Sequence, residues 1–111
     1  MLLEEEKLLS DILTSINSIN DYIKDNRTFD YFYQNKVIRR AVERELEIIG
    51  EAVRNLQKIN SSFTLQHTKQ IIAVRNRIAH AYDGIDYMTI WSIVINHLPN
   101  LKTEIEGLFN N

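Results

Sequence analysis

The sequence predicts an all-α fold, an up-and-down bundle of about four main helices. Apolar residues recur at three- and four-residue spacing along several long segments, and only three glycines and one proline interrupt 111 residues. With 44% hydrophobic and 25% charged residues, the composition suits a packed helical globule rather than a disordered chain or a β-sandwich. The length fits a single domain, 1–111, near the small end of what one core can support, so a partner subunit would help.

From Glu4 to about Asp25, Leu8, Leu9, Ile12, Ile16, Ile19 and Ile23 make the stripe of a one-sided helix. "NRTFDYFYQN" breaks that pattern with turn formers and aromatics; it reads as a loop or one short helical turn whose Phe29 and Phe32 plug the core. A second helix, Val37 to about Lys58, carries the stripe Ile38, Val42, Leu46, Ile49, Val53 and Leu56. Arg40, Arg44, Glu47 and Glu51 lie on another face. Gly50, mid-helix, costs about 1 kcal/mol against alanine, which a close helix crossing there would offset. "INSSFT" offers N-cap residues for a third helix marked by Ile71, Val74 and Ile78, which "YDGID" stops. The last helix bears Met88, Trp91, Ile95, Leu98, Leu101, Ile105 and Leu108, with Pro99 placed to kink or divide it.

No apolar run approaches a membrane span, and the acidic start "MLLEEEKLLS" is unlike a secretory signal, so a cytoplasmic protein is expected. The absence of cysteine excludes thiolate metal sites and thiol catalysis. The histidines at 67, 80 and 97 are too far apart for local metal-ligand spacing, and no phosphate loop or nucleophile elbow is present; no metal or cofactor is expected. A net charge of −2 means that any polyanion would need a local cluster of bases. Glu47 and Glu51 could act as acid and base, but a solvated or salt-bridged face beside Arg40 and Arg44 explains them more simply.

"RNRIAHAYDG" (75–84) is different. It gathers Arg75, Arg77, His80 and Tyr82 at a helix end before an Asp-Gly turn. Such a group suits phosphodiester chemistry, since arginine can hold a phosphate through two hydrogen bonds and imidazole can move protons near neutral pH. Arg75 and His80, five residues apart, are about 140° apart on an ideal helix, and they converge only if the helix ends between them or a second subunit brings another copy. An arginine and a histidine at a helix end can equally complement the helix dipole and cap its last carbonyls. On the residues alone, both readings stand.

"RNRIAHAY", with its Arg-x4-His-x-Tyr pattern, resembles the signature of the HepT-type toxins of the HEPN superfamily. "RRAVERELEIIGEAV" (39–53) resembles that family's long helix, and "IWSIVINHLPNLKTEIE" its closing helix, so the resemblance runs from Phe29 to Glu106 in family order. It implies a HEPN-like homodimer whose Arg/His motifs face each other across a cleft, working as a metal-independent endoribonuclease. His80 would be the acid/base and Arg75 the phosphate clamp, with Asn76 orienting phosphate or histidine and Arg77 steering RNA. The implied partner is an MntA-like nucleotidyltransferase antitoxin that silences the toxin by AMPylation of Tyr82. Two departures stand out. Asn76 replaces the aspartate of many relatives, and the stretch from Asn60 to Gln70 is shorter than their proline-containing insertion. A non-catalytic HEPN module, binding a nucleotide or a nucleotidyltransferase, is the alternative.

Overall fold

A computed structural model of the chain describes residues 1–62, 65–66, 68–79 and 86–110, with the backbone alone at Ala79. Helices α1 (Leu3–Ile23), α2 (Phe29–Gln34), α3 (Lys36–Ile59), α4 (Thr68–Ala79) and α5 (Tyr87–Ser92) are followed by a π-helical turn (Ile93–His97) and α6 (Leu98–Phe109). Among the described residues all regular structure is helical, as expected from the spacing. None of these helices is long and apolar enough to cross a membrane.

The two long stripes meet each other. Leu9, Ile12, Ile16, Ile19 and Ile23 of α1 and Val42, Leu46, Ile49, Val53 and Leu56 of α3 are all buried, and these helices form the centre of the core. Two polar bonds show that the pair is antiparallel. Near the start of α1, Glu5 accepts from Asn60 Nδ2 (3.3 Å) just past the end of α3, while near the end of α1 the Tyr22 hydroxyl donates to Glu45 Oε2 (2.7 Å). That hydrogen bond from the phenol to Glu45 pushes the Tyr22 pKa above its ordinary value, because the carboxylate stabilises the protonated form.

The aromatic stretch before α3 forms the expected short turn. Thr28 caps α2 by accepting from Tyr31 N–H (3.2 Å), and Asn35 caps α3 by accepting from Ile38 N–H (3.3 Å). Phe32 is fully buried and stacks on Trp91 with ring centroids 5.2 Å apart, whereas Phe29 is half-buried. Arg39 lies over the rings of Tyr33 and Tyr87, 5.6 and 5.1 Å from their centroids, and donates to the Tyr33 carbonyl.

Two expectations are corrected. The serines of "INSSFT" do not cap α4, which begins only at Thr68; Ser62 instead folds back, its N–H and hydroxyl both donating to Asn60 Oδ1. In the closing helix Met88 is 59% exposed, and Trp91, Ile95 and Leu108 are only half-buried. The buried side chains are Ile90, Ile93, Val94, Leu98, Leu101 and Ile105. Between Ile90 and Val94 the buried row therefore lies one residue N-terminal to the expected one, and from Leu98 to Ile105 the two coincide.

The cause is the π turn. Pro99 lacks an N–H and its ring would strike the Ile95 carbonyl in a regular α-helix. The backbone widens instead, so that Leu98 N–H reaches the Ile93 carbonyl five residues back. This divides the helix, as one of the two outcomes expected of the proline, and an extra residue is needed to return to the same face. Asp86 starts α5 by accepting from Met88 N–H (3.0 Å), Thr89 N–H (3.3 Å) and the Thr89 hydroxyl (2.9 Å). The Thr89 hydroxyl, then the Thr89 N–H, hold its carboxyl below the usual range by stabilising the anion.

Candidate active site

The close crossing expected at Gly50 exists, and α4 makes it. A Cβ added at Gly50 would lie 2.4 Å from Arg75 Cβ and 2.7 Å from Arg75 Cγ, with the Ile71 carbonyl at 3.5 Å. Arg75 is the residue that occupies the gap left by the missing side chain. Its aliphatic stem rests on the α3 backbone and its side chain is only 22% exposed.

The guanidinium is braced from two sides. Arg75 Nη2 is 3.0 Å from Glu51 Oε2, and Nη1 donates to Asn76 Oδ1 at 3.2 Å. The contact with Glu51 is an ion pair by distance but not an aligned hydrogen bond, for Glu51 Oε2 and Arg75 Nε are both buried without a hydrogen-bond partner. A guanidinium with donors to spare, held against a single carboxylate, can still accept an oxyanion. The carboxylates expected to form a plain surface face therefore divide. Glu51 braces Arg75 rather than pairing with Arg40 or Arg44, and the neighbourhood of Gly50 in sequence was the available signal.

Arg75 opens onto a groove of about 320 Å³ that it shares with Arg44, Glu47 and Glu51 of α3 and Asp11 of α1. Arg77, two residues further along α4, is exposed and faces a different groove, of about 340 Å³, with Thr89, Ser92 and His97. The structure thus brings Arg75 and Asn76 together and sends Arg77 elsewhere. His97 lines Arg77's groove from the end of the π turn. His80 and Tyr82, like His67, lie outside the described residues. Among the described residues no three His, Asp or Glu side chains gather as a metal site would require.

One further acid escaped the sequence reading. Glu43 precedes Gly50 by seven residues, two helical turns, and so shares its face of α3. It is 4% exposed, its Oε2 has no hydrogen-bond partner, and burial pushes its pKa up despite the opposing charges of Arg40 and Arg39.

The family model described as "Ribonuclease HepT-like" matches residues 12–108, a span that holds the second half of α1, all of α3, the Gly50 crossing and the whole of "RNRIAHAY". Among curated proteins, "Putative RNase MJ1380" of Methanocaldococcus jannaschii is 43% identical over 101 residues, which cover 88% of this chain and 90% of the relative. "Putative RNase MJ0127" of the same organism is 40% identical over 104 residues, covering 93% of this chain and 85% of the relative. "Probable ribonuclease HepT" of Thermococcus cleftensis is 34% identical over 104 residues, covering 90% and 91%. No solved structure matches. The extent of these matches shows that the chain belongs to the HepT-like ribonuclease family.

Proposed function

We propose that the protein is a metal-independent endoribonuclease, the toxin of a toxin-antitoxin pair, which acts as a cytoplasmic homodimer and is silenced by AMPylation of Tyr82. The observation that carries the proposal is the seat of Arg75: a chain that pays for a glycine in the middle of its longest helix, and fills the gap with the stem of an arginine, has fixed a phosphate-binding group in place before substrate arrives. The family and the names of its relatives support the nuclease reading at the coarser level.

In this reading, Arg75 holds the scissile phosphate and stabilises the charge that gathers on its oxygens as the fifth bond forms. One His80 imidazole takes the proton of the substrate's 2'-hydroxyl, whose oxygen attacks phosphorus. The imidazolium of the second subunit's His80 protonates the departing 5'-oxygen. The P–O5' bond breaks, leaving a 2',3'-cyclic phosphate and a free 5'-hydroxyl. A two-fold axis supplies both imidazoles from one sequence position, and the transfer needs neither a metal ion nor an external reductant or oxidant. Asn76 orients Arg75, and Arg77, on its separate groove, contributes a steering charge.

The AMPylating partner is a small MntA-like nucleotidyltransferase. AMP on Tyr82, two residues from His80, would add a phosphodiester anion and a bulky nucleoside beside the imidazole and compete for Arg75. The test is cleavage of cellular RNA in excess chelator by wild type and by His80→Ala, with intact mass used to confirm an unmodified tyrosine. Cleavage by wild type alone, giving cyclic-phosphate ends, is expected. An unmodified, folded wild type that leaves RNA intact would overturn the nuclease and favour a non-catalytic binding module. Tyr82→Phe is expected to keep cleavage and escape the antitoxin.

A further inference from the structure

The exposed face of α3 carries a charge pattern that is complementary to itself. Lys36, Arg40, Arg44, Glu47, Glu51 and Asn55 follow one another at spacings of four, four, three, four and four residues, which confines them to one stripe about 100° wide. The first half of that stripe is cationic and the second half is anionic and then neutral. Arg40 and Arg44 are exposed, Glu47 is half-buried, and among the described residues none of the three has an ion-pair partner within 4.0 Å. The other sides of α3 are taken by α1, α2 and α4. Val37, 77% exposed, and half-buried Ile48 lie beside the stripe and offer it an apolar margin.

We infer that a second copy of this chain docks its α3 antiparallel on this face, about a two-fold axis midway between Arg44 and Glu47, and that its Arg40 draws Glu51 away from Arg75. The inference rests on the homodimer proposed above and specifies what that dimer does to the site. In this register Arg44 meets the partner's Glu47, Arg40 meets the partner's Glu51 and Lys36 meets the partner's Asn55, each contact occurring twice. The opposite, parallel arrangement would stack cation on cation along half of the face and carboxylate on carboxylate along the rest. Only the antiparallel register neutralises all four central charges.

Glu51 then has two claimants. In the single chain its carboxylate lies 3.0 Å from Arg75, without hydrogen-bond alignment, and its side chain remains 45% exposed toward the groove. A guanidinium arriving from the partner's side can bond to it as a fork, which the crowded Arg75 does not. Arg75 is thereby given up to the substrate phosphate. Arg40 is a positioning residue acting in trans, and the phosphate clamp is complete only in the assembled pair.

Charge exchange tests the register. Light scattering should report a dimer for wild type, and a roughly tenfold or greater loss of dimer affinity for Arg44→Glu and for Glu47→Arg, each of which sets like charges opposite one another twice. The combined Arg44→Glu/Glu47→Arg chain should recover the dimer. A folded double variant that stays as weak as the singles, or singles that remain as dimeric as wild type, overturns the register. Because mass is the readout, the result does not depend on whether the protein cleaves RNA. The action on Glu51 is read from RNA affinity, by titrating a fluorescent oligoribonucleotide at a protein concentration where the variants are dimeric. Arg40→Ala should weaken binding about tenfold, and Arg40→Ala/Glu51→Gln should restore it. An Arg40→Ala defect that the second change leaves untouched would mean that Arg40 contacts RNA directly, and it would overturn the trans contact.

Discussion

Arg75 and Arg77 stand two residues apart on one helix and live in opposite circumstances. Arg75 is mostly buried, lies on the glycine of the neighbouring helix and touches both Glu51 and Asn76. Arg77 is exposed, has no hydrogen bond or ion pair among the described residues, and acts at a distance, its charge helping to keep the Asp86 carboxyl ionised. A step of two residues turns an α-helix by about 200°, so the same residue type serves as a fixed group on one side and a solvated charge on the other. What separates the two is the surrounding architecture, which costs stability at Gly50 for Arg75 and nothing for Arg77.

Removing the arginine has the largest effect. Arg75→Ala is expected to lower kcat for RNA cleavage about 10²- to 10³-fold while leaving the fold intact by circular dichroism, and Arg75→Lys should recover little, because an ammonium cannot reproduce the two-point contact. Gly50→Ala attacks the seat instead. A methyl group 2.4 Å from Arg75 Cβ forces the helices apart, at about 1 to 3 kcal/mol by denaturant titration, with a loss of activity that exceeds what unfolding explains.

Glu43 sharpens the same contrast from the stability side. Burial raises its folded-state pKa, so the native state holds its proton more tightly than the unfolded chain does. Stability should be greatest below the ordinary value of 4.5 and fall as pH rises through the higher folded value. Glu43→Leu removes that loss. The melting temperature at pH 7 should rise by about 4 °C or more, and the gain should shrink when both proteins are melted at about pH 4. Arg77→Ala is the smallest change: KM for RNA several-fold higher, kcat nearly constant and a shallower salt dependence.

The sequence exposed these features unevenly. The apolar stripes of α1 and α3 were legible because both helices run long without interruption, and period 3.6 then has time to declare itself. Gly50 announced a crossing through its cost, but what crosses there is a tertiary fact, and Arg75 could be named only once α4 lay on α3. Glu51 was hidden by resemblance, since a carboxylate four residues from another on a helix looks the same whether it faces water or a guanidinium. Glu43 was hidden by its charge. Nothing local marks an acid that the fold has buried. The misplaced row at Met88, Trp91 and Ile95 has a different origin, for Pro99 shifted the period upstream of itself and a spacing rule counts every turn alike.

The π turn ahead of Pro99 governs how this chain can change length. A π turn is an α-helix that has absorbed one surplus residue, so the stretch from Ile93 to His97 already contains what an insertion would leave behind. Together with Pro99→Ala, losing one residue there would restore an ordinary helix while α5 and α6 keep their relative orientation, so that Trp91 stays on Phe32 and Thr89 and Ser92 stay in the groove they share with Arg77. The hold of Leu98, Leu101 and Ile105 on the core would survive the loss. The chain can therefore change length at this turn without re-aiming either end of the molecule.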